Sequence, residues 1–241
     1  MLSKNEVKYI QSLYHKKQRQ QEGLFIAEGP KLVSELLTSD FTIKTIYATE
    51  QWNASNTVKN VQVITITEQE LARISNLQTP NQVLAVVQQQ ALSKQPNFST
   101  GLSLALDGIQ DPGNLGTIIR IADWFGITQI ICSLDTVELY NPKVIQSTMG
   151  SFLRTTLWYQ DLATTLATAN VPVFGALLEG QSIYQIQKPT AGILVIGSEG
   201  NGISNQILPL ISHPVTIPRI GGAESLNAAV ATGIIVSHLI V

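Results

Sequence analysis

The stretch LSLALDGIQDPGNLGTIIRIADWFG, residues 102–126, decides the fold class of this chain. Leu102–Leu106 is a short continuous apolar run, as expected of a strand buried on both faces. After a polar turn the apolar residues return as Leu115, Ile118, Ile119, Ala122 and Phe125, spaced by three and four, which marks a helix with one apolar stripe. The same rhythm continues downstream. Gln129–Cys132 reads as a strand, Val144–Met149 as a helix, Thr155–Trp158 as extended chain and Leu162–Ala169 as a helix. Pro172–Leu177 and Gly192–Ile196 read as strands, and Ser225–Leu239 as a C-terminal helix. Such alternation implies an α/β domain whose parallel sheet is covered on both faces.

Upstream the signals are shorter. Residues 3–20 are polar and helix-prone, and Ala27–Leu37 has helical spacing with Pro30 near its start. β-type runs follow at Thr42–Ala48, Val61–Ile66 and Val83–Gln88, with a helix expected at Glu68–Ile74 between the last two. Ala91–Gly101 is polar, carries Pro96 and lacks periodicity, as linkers do. The expected organisation is a small α/β domain over residues 1–92, a linker over 93–101 and a larger α/β domain over 102–241.

Composition narrows the function classes. With 44% apolar and 13% charged residues in 241, the chain is neither disordered nor collagen-like. The uncharged stretch Leu162–Leu178 is broken by Asn170 and Pro172 and falls short of a membrane span. Residues 2–20 are basic without an apolar core, so no secretory signal is expected, and the single Cys132 has no partner for an intrachain disulfide. A cytoplasmic setting is the expectation. The net charge of −2 hides an asymmetry: the first 21 residues hold five Lys/Arg against one Asp/Glu, and residues 99–241 hold five against nine. The basic N-terminus, with Lys16, Lys17 and Arg19, reads either as a phosphate-steering surface or as a solvated helix face.

Three loops carry the chemistry-bearing residues. In the first, residues 107–126, Asn114 reads as a helix cap and Arg120 lies off the apolar stripe, facing cleft or solvent. The second, ILVIGSEGNGIS at 193–204, runs a strand into Gly197, Glu199, Gly200 and Gly202. It is not the glycine fingerprint of a dinucleotide site, because Glu199 holds the second glycine position, and it lacks the lysine of a phosphate loop. The third, VTIPRIGGAESLNAAVATGIIVSHL at 215–239, leads from a short strand through glycines to Ser225, either an N-cap or a site residue, with Asn227 in the first helical turn. His15, His213 and His238 are scattered, so no metal cluster is expected.

In order and content these loops resemble the three motifs of the SpoU family of the SPOUT methyltransferase superfamily. KYIQSLYHKKQRQQEGLFIAEGPKLVSELL, residues 8–37, looks like the substrate-binding domain often fused to such enzymes. The resemblance implies S-adenosylmethionine as methyl donor, an RNA ribose 2′-hydroxyl as acceptor, a trefoil knot in the C-terminal domain and a homodimer. On matching positions it implies catalytic roles for Asn114, Arg120, Glu199, Ser225 and Asn227, with Arg120 central as base or phosphate clamp and Glu199 orienting it. Gly197, Ile217 and Leu226 would surround the cofactor, and Lys16, Lys17 and Arg19 would meet RNA. By the same analogy 23S ribosomal RNA is expected ahead of transfer RNA. The chain departs from the family at Ala229, where many members have serine, and at Arg219, where methionine is frequent. Two rival readings remain: a nicotinamide oxidoreductase, which needs the absent glycine fingerprint, and a non-catalytic RNA-binding or ribosome-assembly module, which leaves the three polar loops unexplained.

Overall fold

The structure, a computed structural model, describes residues 1–92 and 94–241. The chain forms two compact units, Met1–Ala91 with Tyr140–Leu153, and Leu92–Leu139 with Arg154–Val241.

The first unit contains α1 (Lys4–Ser12), α2 (Lys16–Glu22), β1 (Leu24–Glu28), α3 (Pro30–Leu37), β2 (Ile43–Ala48), α4 (Glu50–Ser55), β3 (Gln62–Thr65), α5 (Glu68–Ile74) and β4 (Val83–Gln88). Its four-stranded sheet has the order β1-β4-β2-β3, antiparallel except for the β2–β3 pair. Ile10, Leu13, Ile26, Leu71, Ile74 and Leu84 pack on one core cluster. Both α1 and α5 open with capping boxes, Ser3 with Glu6 and Thr67 with Glu70, which satisfy backbone N–H groups that would otherwise lack partners. Ala27 and Glu28, expected in a helix, end β1 instead. All five residues of β1 are buried, and a short apolar run does not tell a buried strand from a helix by periodicity. Gly29 at φ +98 then turns the chain, and Pro30 begins α3.

The second unit opens with β5 (Gly101–Asp107), α6 (Pro112–Trp124) and β6 (Gln129–Cys132). The chain then leaves for the first unit, where α7 (Pro142–Thr148) lies, so residues 102–241 do not fall in a single compact unit as expected. Aromatic packing accounts for the excursion: Tyr140 and Phe152 sit 4.7 and 5.9 Å, centroid to centroid, from Phe25 of β1. Back in the second unit follow β7 (Thr156–Tyr159), α8 (Leu162–Thr168), β8 (Val173–Ser182), β9 (Ala191–Gly197), β10 (His213–Thr216) and α9 (Ala228–Ile240). Six strands pair in the order β10-β8-β9-β5-β6-β7, every pair parallel. Within the expected linker, residue 93 lies outside the described residues; Lys94 O accepts from Trp158 Nε1 at 2.8 Å, and Asn97 exchanges two hydrogen bonds with Gln129. That segment is tied to the second unit.

The helix expected from Ser225 starts three residues later, at Ala228, because Asn227 is the N-cap and its Oδ1 accepts from Ala229 N and Val230 N. One face of α6 buries Leu115, Ile118, Ile119 and Ala122, and beside that face Ile121 packs near Gly233 of α9. The two helices carry the first and third sequence loops, so their packing brings those loops together.

Candidate active site

Strand order places β5 at the point where the chain reverses its direction across the sheet, β6 and β7 extending one way and β9 the other. Ligand crevices in open α/β sheets form at the carboxyl ends of strands flanking such a point. A cavity of about 330 Å³ lies there, bounded by the turn after β5 (Asp107–Asp111), Asn114, Asp135 and the turn after β9 (Ser198–Gly202).

The helix α6 starts beside this cavity with Asp111 as N-cap, its Oδ1 accepting from Asn114 N at 2.8 Å, and with Pro112 in the first turn. Asn114 is therefore not the cap, as one sequence reading had it. Capping falls to the residue before the proline, and the Asn114 side chain is left available for the site. Its Nδ2 donates to Glu199 Oε1 at 3.0 Å, and its Oδ1 accepts from Asn227 Nδ2 at 2.9 Å. Asn227 Nδ2 also donates to Glu199 Oε1, at 2.5 Å, and Ala228 N approaches the same oxygen at 3.4 Å. One residue from each loop thus closes a triangle. Glu199 sits against the N-terminus of α9, where the helix dipole favours a carboxylate.

The position of Glu199 depends on Gly197. A Cβ at 197 would lie 2.1 Å from Gly202 C and 2.3 Å from Ile203 N, so only glycine lets the backbones meet there. Ser198 and Gly202 exchange backbone hydrogen bonds of 3.1 and 2.9 Å, closing a tight turn with Gly202 at φ +66. The turn is held to β5 by Ser204 N, which donates to Asp107 Oδ2 at 2.7 Å.

Arg120 lies six residues beyond Asn114 on α6, exposed, and makes no hydrogen bond or ion pair among the described residues. The expected pairing with Glu199 is not formed; the hydrogen bonds to Glu199 come instead from Asn114, Asn227 and Ala228 N, all on Oε1. Ser225 is exposed and likewise makes no hydrogen bond among the described residues. Arg19, expected beside Lys16 and Lys17 on an RNA-facing surface, is buried, and its Nη1 donates to Leu13 O at 3.0 Å. Its guanidinium ties the end of α1 to α2, while Lys16 and Lys17 remain exposed. Sequence reasoning also missed the carboxylates of Asp107, Asp111 and Asp135 around the cavity. The Asp-Pro pair before the helix was a readable cap signal for Asp111; Asp135 had none. Cys132 is buried, and burial pushes its thiol well above the usual range, so it is not a nucleophile.

The loop from Ile217 to Leu226 forms no backbone–backbone hydrogen bond among the described residues. Ile220 and Leu226 in it are exposed, as is Leu178 on the adjoining β8, whose carbonyl accepts from Thr216 at 3.0 Å. Ile217 O and Ala223 O accept from the side chains of Thr216 and Arg219; backbone groups outside any ladder next to uncovered apolar side chains suit a ligand with polar edges and apolar faces, as an adenosine has.

Residues 101–237 match the SpoU rRNA Methylase family. The chain belongs to that family. Residues 4–85 match the MRM3-like substrate binding domain, so the SpoU region is preceded by a second recognisable module. Among similar proteins, the 23S rRNA (guanosine(2553)-2′-O)-methyltransferase RlmP of Bacillus subtilis is 31% identical over 243 residues, with 98% of this chain and 97% of that protein covered. A TrmH-family protein from Porphyromonas gingivalis superposes with a TM-score of 0.90 at 38% identity, covering 99% of this chain and 98% of that one. An rRNA methyltransferase from Sinorhizobium meliloti, solved with AdoMet bound, superposes with a TM-score of 0.87 at 30% identity, covering 99% and 95%. Asn114, Glu199 and Asn227, the three corners of the triangle, all lie within the matched residues.

Proposed function

We propose that this SpoU-family chain transfers a methyl group from S-adenosylmethionine to a ribose 2′-hydroxyl of 23S ribosomal RNA in the cytoplasm. The observation that carries the reading is the closed Asn114–Glu199–Asn227 triangle at the switch-point cavity, with the unpartnered Arg120 on the same helix. Bound in the 217–226 loop near Gly197, Ile217 and Leu226, the sulfonium cofactor supplies an electrophilic methyl group. The protein's part is alignment, which supplies much of the rate in a displacement of this kind. Asn114, Glu199 and Asn227 act as positioning residues that fix the loops bounding the cavity. The Arg120 guanidinium holds the phosphate beside the reacting ribose and stabilises negative charge growing on its 2′-oxygen, while the proton leaves to water. Ser225, with its hydroxyl uncommitted, hydrogen-bonds the ribose or Arg120.

Residues 1–92 are the RNA-delivering module, with Lys16 and Lys17 on phosphates. The knotted path and the homodimer belong to the same reading. In support of a threaded chain, the backbones of β8 and β10 press together where a Cβ would not fit, at Gly180 against Pro214, although chains ordinarily avoid knots. In support of a dimer, Val230, Ile240 and Val241 of the C-terminal segment are exposed apolar residues. Mapping ribose methylation in 23S RNA incubated with protein and cofactor tests the activity. A single site should become resistant to alkaline cleavage, and a methyl group found on a base after nuclease digestion overturns the reaction class.

A further inference from the structure

Carboxylates of Asp107, Asp111, Asp135 and Glu199 line the switch-point cavity, and among the described residues no lysine, arginine or histidine does. The 217–226 loop contributes none of the lining either. Negative charge on the walls repels a phosphate, so the part of an RNA that suits this cavity is a base, whose edge carries N–H donors.

Three of these carboxylates hold the fold together. Asp107 Oδ2 accepts from Ser204 N, Asp111 caps α6, and Glu199 Oε1 closes the triangle with Asn114 and Asn227. Asp135 has no such task. It is exposed in the turn after β6, and its hydrogen bond among the described residues comes from Ser133 Oγ, at 2.6 Å to Oδ1. Ser133 Oγ itself accepts from Gly108 N at 2.9 Å, so the carboxylate is fixed against the turn after β5 while Oδ2 stays uncommitted. Gly108 keeps the way to Oδ2 open: a Cβ there would stand 3.3 Å from that oxygen and 3.9 Å from Ser198 Cβ, between the carboxylate and the turn after β9. The side-chain amides of Gln110 and Asn201, also on the lining, are exposed and make no hydrogen bond among the described residues. The cavity thus combines a fixed, free acceptor with free amide donors.

We infer that this cavity seats the base of the nucleotide to be methylated and that Asp135 reads it as guanine. The inference rests on the proposed RNA methyl transfer and adds a base-reading residue to it. Guanine is the one RNA base with two adjacent donors on its pairing edge, N1–H and N2–H, and a carboxylate accepts from both. Its O6, next to them, accepts from an amide such as that of Gln110 or Asn201. Uracil offers a single N–H between two carbonyl oxygens, which a carboxylate repels; adenine and cytosine set one amino group beside a ring acceptor. Unpaired or flipped-out bases are read on this edge. A volume of about 330 Å³ is at the small end of ligand pockets, roughly 300–1,000 Å³, as suits a single base.

The full-length protein is incubated with S-adenosylmethionine and a 23S transcript, and the methylated nucleoside released by nuclease digestion should be 2′-O-methylguanosine. Inosine at the mapped position, which lacks the 2-amino group, should lower kcat/KM about tenfold for the wild type. Asp135→Asn should lower kcat/KM for the guanosine transcript by a similar factor, chiefly through KM, and leave cofactor affinity unchanged. In that variant the inosine penalty should shrink to about twofold or less. A merely structural Asp135 would lower both rates and keep the penalty, which overturns the inference. A methylated nucleoside other than guanosine overturns it too, as does a cofactor affinity that falls with the rate, which would give the carboxylate to the cofactor. Free guanosine and inosine, titrated by saturation-transfer NMR without cofactor, test the pocket apart from turnover: the wild type should prefer guanosine, and Asp135→Asn should not distinguish the two. A protein with that preference that methylates no RNA would lose the methyl-transfer reading and keep the pocket. One that methylates guanosine with no dependence on Asp135 would do the reverse.

Discussion

Asn227 donates from Nδ2 to Oδ1 of Asn114 at 2.9 Å across 113 residues of sequence, joining the N-cap of α9 to the first turn of α6. Both amides then converge on one oxygen of Glu199. Each amide is used at both ends: Asn227 caps its helix with Oδ1 while its Nδ2 serves the site, so local folding and site geometry share one side chain.

Two substitutions separate those roles. Asn227→Ala removes the cap as well as the triangle and should cost about 1–2 kcal/mol in urea unfolding, whereas Asn114→Ala leaves the Asp111 cap intact and should cost less. Both should lower the single-turnover methylation rate. A fully stable Asn227→Ala protein would show that the cap contributes nothing.

Gly197→Ala and Gly200→Ala form a second contrast. The first places a methyl group 2.1 Å from Gly202 C and should abolish cofactor binding or folding, while nothing lies within 4 Å of a Cβ at 200. Gly200→Ala should stay within about 0.5 kcal/mol of wild type. Calorimetric titration with S-adenosylmethionine alongside thermal melts measures both.

Arg120→Ala should nearly abolish turnover yet leave stability and cofactor affinity within a few-fold of wild type, since the side chain is exposed and unpartnered. Loss of cofactor binding as severe as the loss of rate would remove Arg120 from the chemistry.

The parallel sheet was legible because its strands are apolar runs separated by helices with clear stripes, and the site was legible as three loops. Helix starts were not, because periodicity locates the body of a helix while the cap depends on a few local bonds. The capping role weighed for Ser225 and Asn114 against a site role falls to Asn227 and Asp111. Arg19 was misread because a run of charges looks uniformly wet, and only the tertiary fold sends one member inward to Leu13 O. The return of Tyr140 and Phe152 to the first unit rests on contacts with Phe25 more than a hundred residues away, for which the local sequence has no signal.

Acid should loosen the capped helix starts. Glu6 and Glu70, in the capping boxes of α1 and α5, and Asp161, the N-cap of α8, all have carboxyl pKa values held below their ordinary ones, chiefly by hydrogen bonds from Ser3, Thr67 and Thr164. A depressed carboxyl pKa stabilises the fold at pH above the unfolded value, 4.5 for Glu and 3.8 for Asp, and that contribution is lost as pH falls through the lower folded value. Stability should thus fall as pH drops below about 4, and Glu70→Gln should flatten that part of the profile. A Glu70→Gln profile parallel to wild type would place the acid sensitivity elsewhere.

The basic N-terminus yields a prediction in which two kinds of cation behave oppositely. Lys16 and Lys17 are exposed on α2, so replacing both with alanine should leave unfolding within about 0.5 kcal/mol of wild type. If they neutralise phosphates, the slope of log affinity against log salt should shrink by roughly 0.7–0.9 for each contact removed. Arg19→Ala should do the reverse. It deletes a buried side chain and leaves the Leu13 carbonyl without its donor, which costs on the order of 2–4 kcal/mol, while the salt slope measured well below its melting temperature stays at the wild-type value. Filter-binding titrations of a 23S transcript at several salt concentrations, paired with urea melts, measure both. An unaltered slope in the double lysine variant would return Lys16 and Lys17 to an ordinary solvated helix face. A reduced slope in a folded Arg19→Ala protein would mean that the guanidinium leaves Leu13 to meet RNA.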